Sequence, residues 1–409
     1  MRASALVRAA GLVLLSTLAA CGGDARAAGP VVRDSAGVRI VENAAPAWRE
    51  GEGWRLAAEP ALDIGMVDGP PEYQFGRVTG AVRLPDGTVV VADDQGKHLR
   101  YFDGGGRHVR TVGREGGGPG EFKAVGTLAA LGDSVAVGDH DNLRVSVFAP
   151  DGRLVRAVPL DAGGTGLFAL PAGYFGDGSV LLGSGGAFDA GSKGGVARDS
   201  LTYLRVDPAG GAPRELGRFP GTETFVHSAG GAVMVGPRAF GRSSEVATVP
   251  DGFYFGSSDR YEIGRYDAEG RLLRLVRRPR AARPVTPADI ERFKETRRKQ
   301  AAESRGGRFR QIQERSLAAM SYPETMPAHG DLLADRAGNL WVSEFRVTPD
   351  DPGSWTVFDP EGRMLGTVAT PARFRVFDVG ADYVLGVWRD DVDVEHVRMF
   401  TLEKPGAAG

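Results

Sequence analysis

A short unit recurs along this 409-residue chain and sets what it can fold into. Each copy has a Gly or Asp-Gly turn, a β run, a polar gap, and a second β run that carries an aromatic residue and ends near Asp. The clearest copy is LPDGTVVVADDQGKHLRYFDGGGRHVRTVG at 84–113. Landmark positions at the end of the second run are Phe102, Phe148, Val206, Tyr266, Phe358 and Phe400, at intervals of 46, 58, 60, 92 and 42 residues. A unit of about 40–50 residues matches a four-stranded propeller blade and cannot bury its own apolar face, so the copies must pack on one another. The expected fold is all-β, a six-bladed β-propeller over 38–409. Sixty Gly and 25 Pro supply the turns that such a chain needs.

The ends of the chain predict how the ring closes. The last copy, FRVFDVGADYVLGVWRDDVDVEHVRMFTLEK, supplies three strands before the sequence stops. The missing outer strand is expected from WRLAAEPALDIG at 54–65, since an N-terminal strand that completes the last blade removes an open sheet edge.

The 92-residue interval is too long for one blade, and the excess at 279–328 changes character. Thr286 is placed to cap a helix with Pro287 at its first position, and Ile290 and Phe293 follow at helical spacing. Phe309, Ile312 and Met320 suggest a second helix after Gly306 and Gly307. The segment is expected to be a helical insertion between the fourth and fifth blades. Residues 277–315 hold 13 Lys and Arg against five acids, a net +8 within a chain of −2. That contrast suggests either a solvated face neutralised by the acidic propeller or an anion-binding lid. Arg292, Arg297 and Arg298 are the candidate ligand-binding residues on it. The overall charge argues against a general polyanion binder, and nucleic acid is not an expected partner.

The N-terminus carries Arg2 and Arg8, an apolar run from Ala9 to Ala20 and then Cys21, the chain's single cysteine. The run is short for a membrane span and reads as a signal segment. Its LAAC ending resembles a bacterial lipoprotein signal. The resemblance implies removal of 1–20, lipidation of Cys21, and a tether at 21–37. Gly22 and Gly23 follow Cys21 with no Asp next to it, which by the same resemblance implies a lipid anchor in the outer membrane facing the periplasm.

VVVADDQGKHLRYFDGGGRHVRTVG and the inter-blade GREGGGPGEF at 113–122 resemble the six-bladed propellers of the NHL and TolB-like type. The likeness implies fold, and this fold hosts scaffolds, ligand binders, lactonases and lyases. GREGGGPGEF joins β runs and opens no helix, so it reads as a tight crossover and not as a phosphate cradle. Hydrolytic relatives of this type hold Ca²⁺ or Zn²⁺ in the central channel with polar side chains from several blades. Candidates at the blade edges are Asp139, His140, Asp141, Asn142, His227, His329 and Asp331. His227 and His329 are carried forward as candidate ligand-binding residues; no catalytic residue and no cofactor is assigned. DDVDVEHV at 390–397 alternates, which would put its acids and His396 on the wet face of a strand. The expected function is a cell-envelope lipoprotein acting as a binding scaffold for an envelope protein, an anionic glycan or a small molecule. The alternative is a metal-assisted lactonase, another hydrolase or a lyase with its site in the channel.

Overall fold

In three of the recurring units a carboxylate closes the hairpin between the aromatic strand and the next one. Asp103 Oδ1 accepts the Gly105 and Arg107 backbone N–H groups at 3.1 and 2.9 Å, and Oδ2 accepts Arg107 Nε at 3.1 Å. Asp267 with Arg271 and Asp359 with Arg363 repeat the clasp. The turn needs left-handed backbone one residue before each arginine, and Gly106, Gly270 and Gly362 each supply it at φ 84°. This computed structural model describes residues 29–160, 169–185, 194–229, 232–303 and 307–405. The expected signal segment and Cys21 lie outside the described residues.

The units form antiparallel sheets. Sheet 1 comprises Val78–Arg83, Val89–Asp93, His98–Phe102 and His108–Val112; sheet 2 comprises Leu128–Leu131, Ser134–Asp139, Arg144–Phe148 and Leu154–Pro159. Sheet 3 comprises Ala169–Tyr174, Val180–Gly185, Ser200–Val206 and Arg214–Pro220. Sheet 4 contains Glu245–Val249, Gly252–Gly256, Glu262–Asp267 and Leu272–Arg277, and sheet 5 contains Leu332–Ala334, Leu340–Ser343, Gly353–Phe358 and Met364–Thr370. Sheet 6 contains Phe374–Val379, Tyr383–Arg389 and Glu395–Glu403, and its fourth strand is Arg55–Ile64. That N-terminal strand pairs antiparallel with the C-terminal one, Val397 opposite Ile64 and Glu403 opposite Arg55.

The core is divided among the faces where consecutive sheets meet. Phe102, Val89, Leu385 and Ile64 fill the space between sheets 6 and 1, and Tyr101, Leu99, Val137 and Phe148 that between sheets 1 and 2. Equivalent clusters join sheets 2 and 3, 3 and 4, 4 and 5, and 5 and 6. First strands lie against one another between sheets 1 and 2, 3 and 4, 4 and 5, and 6 and 1. The fold is a β-propeller, held by area burial of about 25 cal/mol per Å² on both faces of each sheet.

Two features depart from expectation. Residues 31–37, expected within the tether, form a hairpin: Val31–Ser35 pairs with Val38–Glu42 across a turn at Ala36 and Gly37. Val38–Glu42 then adds in parallel to Leu272–Arg277, extending sheet 4 to six strands and burying Ile40 and Val41. The apolar residues of VRIVE drive that docking, and the Ala-Gly turn carries the preceding residues with it. The second feature is a small sheet of Gly195–Ala197, Thr224–Ala229 and Ala232–Pro237, outside the repeating pattern.

Two helices, α1 (Pro287–Glu303) and α2 (Gly307–Ala319), lie in the chain between sheets 4 and 5. Thr286 caps α1 as expected: its Oγ1 accepts the Asp289 N–H at 3.2 Å, while Asp289 accepts the Thr286 N–H at 3.1 Å. Ile290 and Phe293 pack on Phe240, Met326 and Val347. The crossover 113–122 turns carbonyls toward Arg144, which donates to Gly117, Gly118 and Glu121. It is no phosphate cradle.

Candidate functional site

A cavity of about 600 Å³ opens where the first strands of sheets 4, 5 and 6 converge beneath α1. Sheet 4 contributes Ser243 and Glu245, sheet 5 Gly330 and Asp331, and sheet 6 Arg375. The segment after Leu340–Ser343 supplies Glu344 and Arg346, and α1 roofs the space with Thr296, Lys299 and Gln300. That volume suits a small organic ligand. A second chamber on the axis, lined by Thr79, Gly126, Thr127 and Phe377, shares Arg375 with the first.

Hydrogen bonds between sheets hold these walls. The Ser243 N–H donates to Ser258 Oγ at 2.8 Å, and the Ser258 N–H donates to His329 Nε2 at 3.1 Å. His329 Nδ1 donates in turn to the Gly330 carbonyl at 2.8 Å. Backbone bonds between Gly330 and Ser343, and between Ser343 and Asp331, fix the start of sheet 5 at 2.8 and 2.9 Å. An Arg292–Asp351 ion pair pins α1, while Asp351 accepts the Val347 and Thr348 N–H groups at 3.2 and 3.1 Å.

The electrostatics of the cavity are uneven. Burial pushes the Glu245 carboxyl up to about 7, the nearby Asp331 carboxylate adds to the rise, and a hydrogen bond with Ser243 opposes it. Glu245 therefore exchanges a proton near neutral pH. Arg375 is open to channel water yet surrounded by protein, and that desolvation holds it below its ordinary value against the pull of Asp331 and Glu395. Its guanidinium lies over the Phe377 ring at 4.5 Å. Glu344 is occupied by Arg278 and Arg280, and Glu395 by Arg389 and the Val78 N–H. Arg373 pairs with Asp350. The wall thus offers a titrating carboxyl, a second carboxylate and cationic donors to one enclosed volume.

The residues singled out from sequence are scattered relative to this cavity. Asp331 lines it. His329 stands behind the wall, fully buried with both ring nitrogens engaged, and burial lowers its basicity; it is a neutral brace without reach to a ligand. His227 lies on the small outer sheet, stacked on Phe225 at 5.5 Å, with both nitrogens lacking a hydrogen-bond partner among the described residues. Arg292 serves as the α1 pin; Arg297 contacts Gln300 and lies over Phe293, and Arg298 pairs with Glu314 of α2. The α1 side chains that reach the cavity are Thr296, Lys299 and Gln300 instead. Asp139 is buried and accepts the Lys123, Ala124 and Asn142 N–H groups, a loop anchor between sheets 1 and 2. His140 and Asp141 contact one another at the surface. In 390–397, Asp390 caps a turn at 391–394 and Glu395 is buried, so the wet-face expectation fails for Glu395 because its carboxylate bonds the Val78 N–H.

Glu245 and Arg375 escaped the sequence reading. One signal for Glu245 was present: aligned on the turns LPDG at 84–87 and VPDG at 249–252, it takes the place of Gly80. A charge on an inner strand where another copy has glycine marks the axis.

No protein-family model matches the chain, and no curated protein matches it. Solved structures resemble it in fold. A member of the duf4221 family from Bacteroides vulgatus has a TM-score of 0.50 at 10% identity, covering 86% of this chain and 99% of that one. A Bacteroides fragilis protein described as exported has a TM-score of 0.47 at 11% identity, covering 89% and 100%. A gluconolactonase from Xanthomonas campestris has a TM-score of 0.41 at 12% identity, covering 85% and 100%.

Proposed function

We propose that this protein is a lipid-anchored propeller of the cell envelope that binds a small polar ligand in the cavity beneath α1. In this reading the ring has six blades of the NHL and TolB-like type, with the helices inserted between the fourth and fifth, and Cys21 carries the anchor at the outer membrane. The observation that carries the binding role is the 600 Å³ cavity walled by three sheets and closed by a capped, pinned helix. Polar groups fixed on strands recognise a ligand without an ordering cost. The test is native mass spectrometry of the purified full chain after equilibration with a small-molecule extract of the envelope. Wild type should retain a species that Thr296→Trp, which fills the cavity, does not. Equal masses for both proteins would remove the binding role.

Glu245 favours a second reading, a hydrolase or lyase that uses this carboxyl as a general acid or base. Among the described residues no three His, Cys, Asp or Glu side chains form a group that could hold a metal ion. Elemental analysis of the purified protein tests the metal-assisted form: stoichiometric Ca²⁺ or Zn²⁺ would support it.

A further inference from the structure

The cavity wall holds two guanidinium groups that stand outside its ion pairs, although Asp331 and Glu395 act on Arg375 from a distance. Arg346 comes from the segment after Leu340–Ser343 and Arg375 from the first strand of sheet 6, so two separate elements bring them to one space. Neither has an ion pair among the described residues. The Arg346 Nη1 atom is buried with no hydrogen-bond partner, and the one hydrogen bond of Arg375 is to the Thr79 carbonyl, at 3.4 Å. The other two wall arginines are matched, Arg373 to Asp350 and Arg389 to Glu395. A guanidinium carries five donors and is costly to hold in a protein-lined space unless an anion or water meets them. Two such groups in one ligand-sized chamber describe a site for an acid.

The remaining wall narrows the class. Glu344, Asp350 and Glu395 are taken by arginines, which leaves Glu245, Asp331 and Asp393 as acceptors, with Ser243, Ser343 and Thr296 as hydroxyl partners. Carboxylates and hydroxyls accept from the hydroxyl groups of a polyol. They repel a dianionic phosphate more strongly than a single carboxylate. The geometry points to a small polyhydroxylated carboxylic acid of the uronic-acid class, its carboxylate taken by Arg346 and Arg375 and its hydroxyls by the Glu245–Asp331 side. This assignment rests on the binding role proposed above and names its ligand class.

Isothermal titration of the full chain with glucuronate, galacturonate, glucose and glucose 6-phosphate, each up to about 10 mM, tests it. A uronate should bind at least about tenfold more tightly than glucose, and Arg375→Gln and Arg346→Gln should each weaken the uronate about tenfold or more while leaving glucose unchanged. If Arg375→Gln does not fold, Arg375→Lys keeps the charge but loses the paired donors and should still weaken the uronate several-fold, about three to ten times. Equal binding of uronate and glucose, unaffected by either arginine variant, overturns the acid class and leaves the binding role standing. Tighter binding of glucose 6-phosphate than of either uronate overturns the carboxylate in favour of phosphate. Absence of uronate binding overturns the assignment, and the Thr296→Trp comparison then reports separately on the binding role.

Discussion

Replacing Glu395 should separate the value of a hydrogen-bond acceptor from that of a charge at the seam between sheets 6 and 1. Glu395 Oε2 accepts the Val78 N–H at 2.5 Å, and Oε1 accepts from Arg389 at 2.6 Å. Val78 is 3% exposed and Glu395 4%, whereas the Arg389 side chain is 53% exposed. Glu395→Ala leaves the Val78 N–H buried without a partner, a loss of about 1–3 kcal/mol. The ion pair adds only about 0–1 kcal/mol, because freed Arg389 turns to water. The alanine variant should therefore lose about 1–4 kcal/mol. Glu395→Gln retains an oxygen for Val78 and should lose less than about 1 kcal/mol by the same accounting. Urea titrations at constant slope give both values from the midpoints. Equal losses for Ala and Gln would refute the acceptor role, and no loss for Ala would mean that the Val78 N–H is satisfied otherwise.

Three further outcomes follow from named contacts. Because Glu245 is raised from 4.5 to about 7, the folded chain holds a proton that the unfolded chain releases; this contribution to stability is full below about pH 4.5 and declines as pH rises toward 7. Glu245→Gln should flatten that decline, read as urea midpoints between about pH 5 and pH 7.5; a variant that retains the decline would show that another group causes it. His329→Leu should cost about 1–3 kcal/mol by orphaning the Ser258 N–H, while His329→Gln recovers part of it in thermal unfolding, and equal values would refute the brace. Excising 286–320 should leave a folded all-β ring by circular dichroism, because the Val285 N–H to Glu324 and Met326 N–H to Arg283 bonds, 2.9 and 2.8 Å, already bring the cut ends together. Loss of the β signal would show that α1 and α2 are required for the ring.

The repeating unit was legible because its chemistry is local. The Asp–Gly–Arg clasp at 103–107, 267–271 and 359–363 lies within five residues, so turn residues and strand pattern appear together. The Arg55–Ile64 strand was legible from a deficit, one strand too few in the last copy. VVRDS at 31–35 was not, since its pairing depends on a neighbour that itself docks on residues more than 230 positions away, Ile40 opposite Leu275. The site was largely hidden for the same reason. Glu245, Asp331 and Arg375 are single residues on three units, and only ring geometry brings them to one volume. The positive segment was visible as a sum, but its meaning lay in partners: Arg277 pairs with Glu262, Arg278 and Arg280 with Glu344, and Arg292 with Asp351.

The N-terminal course of the chain governs when this fold can be finished. Val38–Glu42 docks on sheet 4, Ala47 and Trp48 bond the outer strand of sheet 5 at Met364 and Leu365, and Arg55–Ile64 completes sheet 6. A polypeptide leaving a ribosome or a translocation pore presents these residues before the surfaces that receive them, which are synthesised about 230 to 350 positions later. Until the C-terminal strand arrives, Arg55–Ile64 has nowhere to bind and sheet 6 keeps a bare edge. Such a molecule travels through its biogenesis with the closing strand waiting, and premature termination anywhere before residue 395 leaves Arg55–Ile64 without its partner.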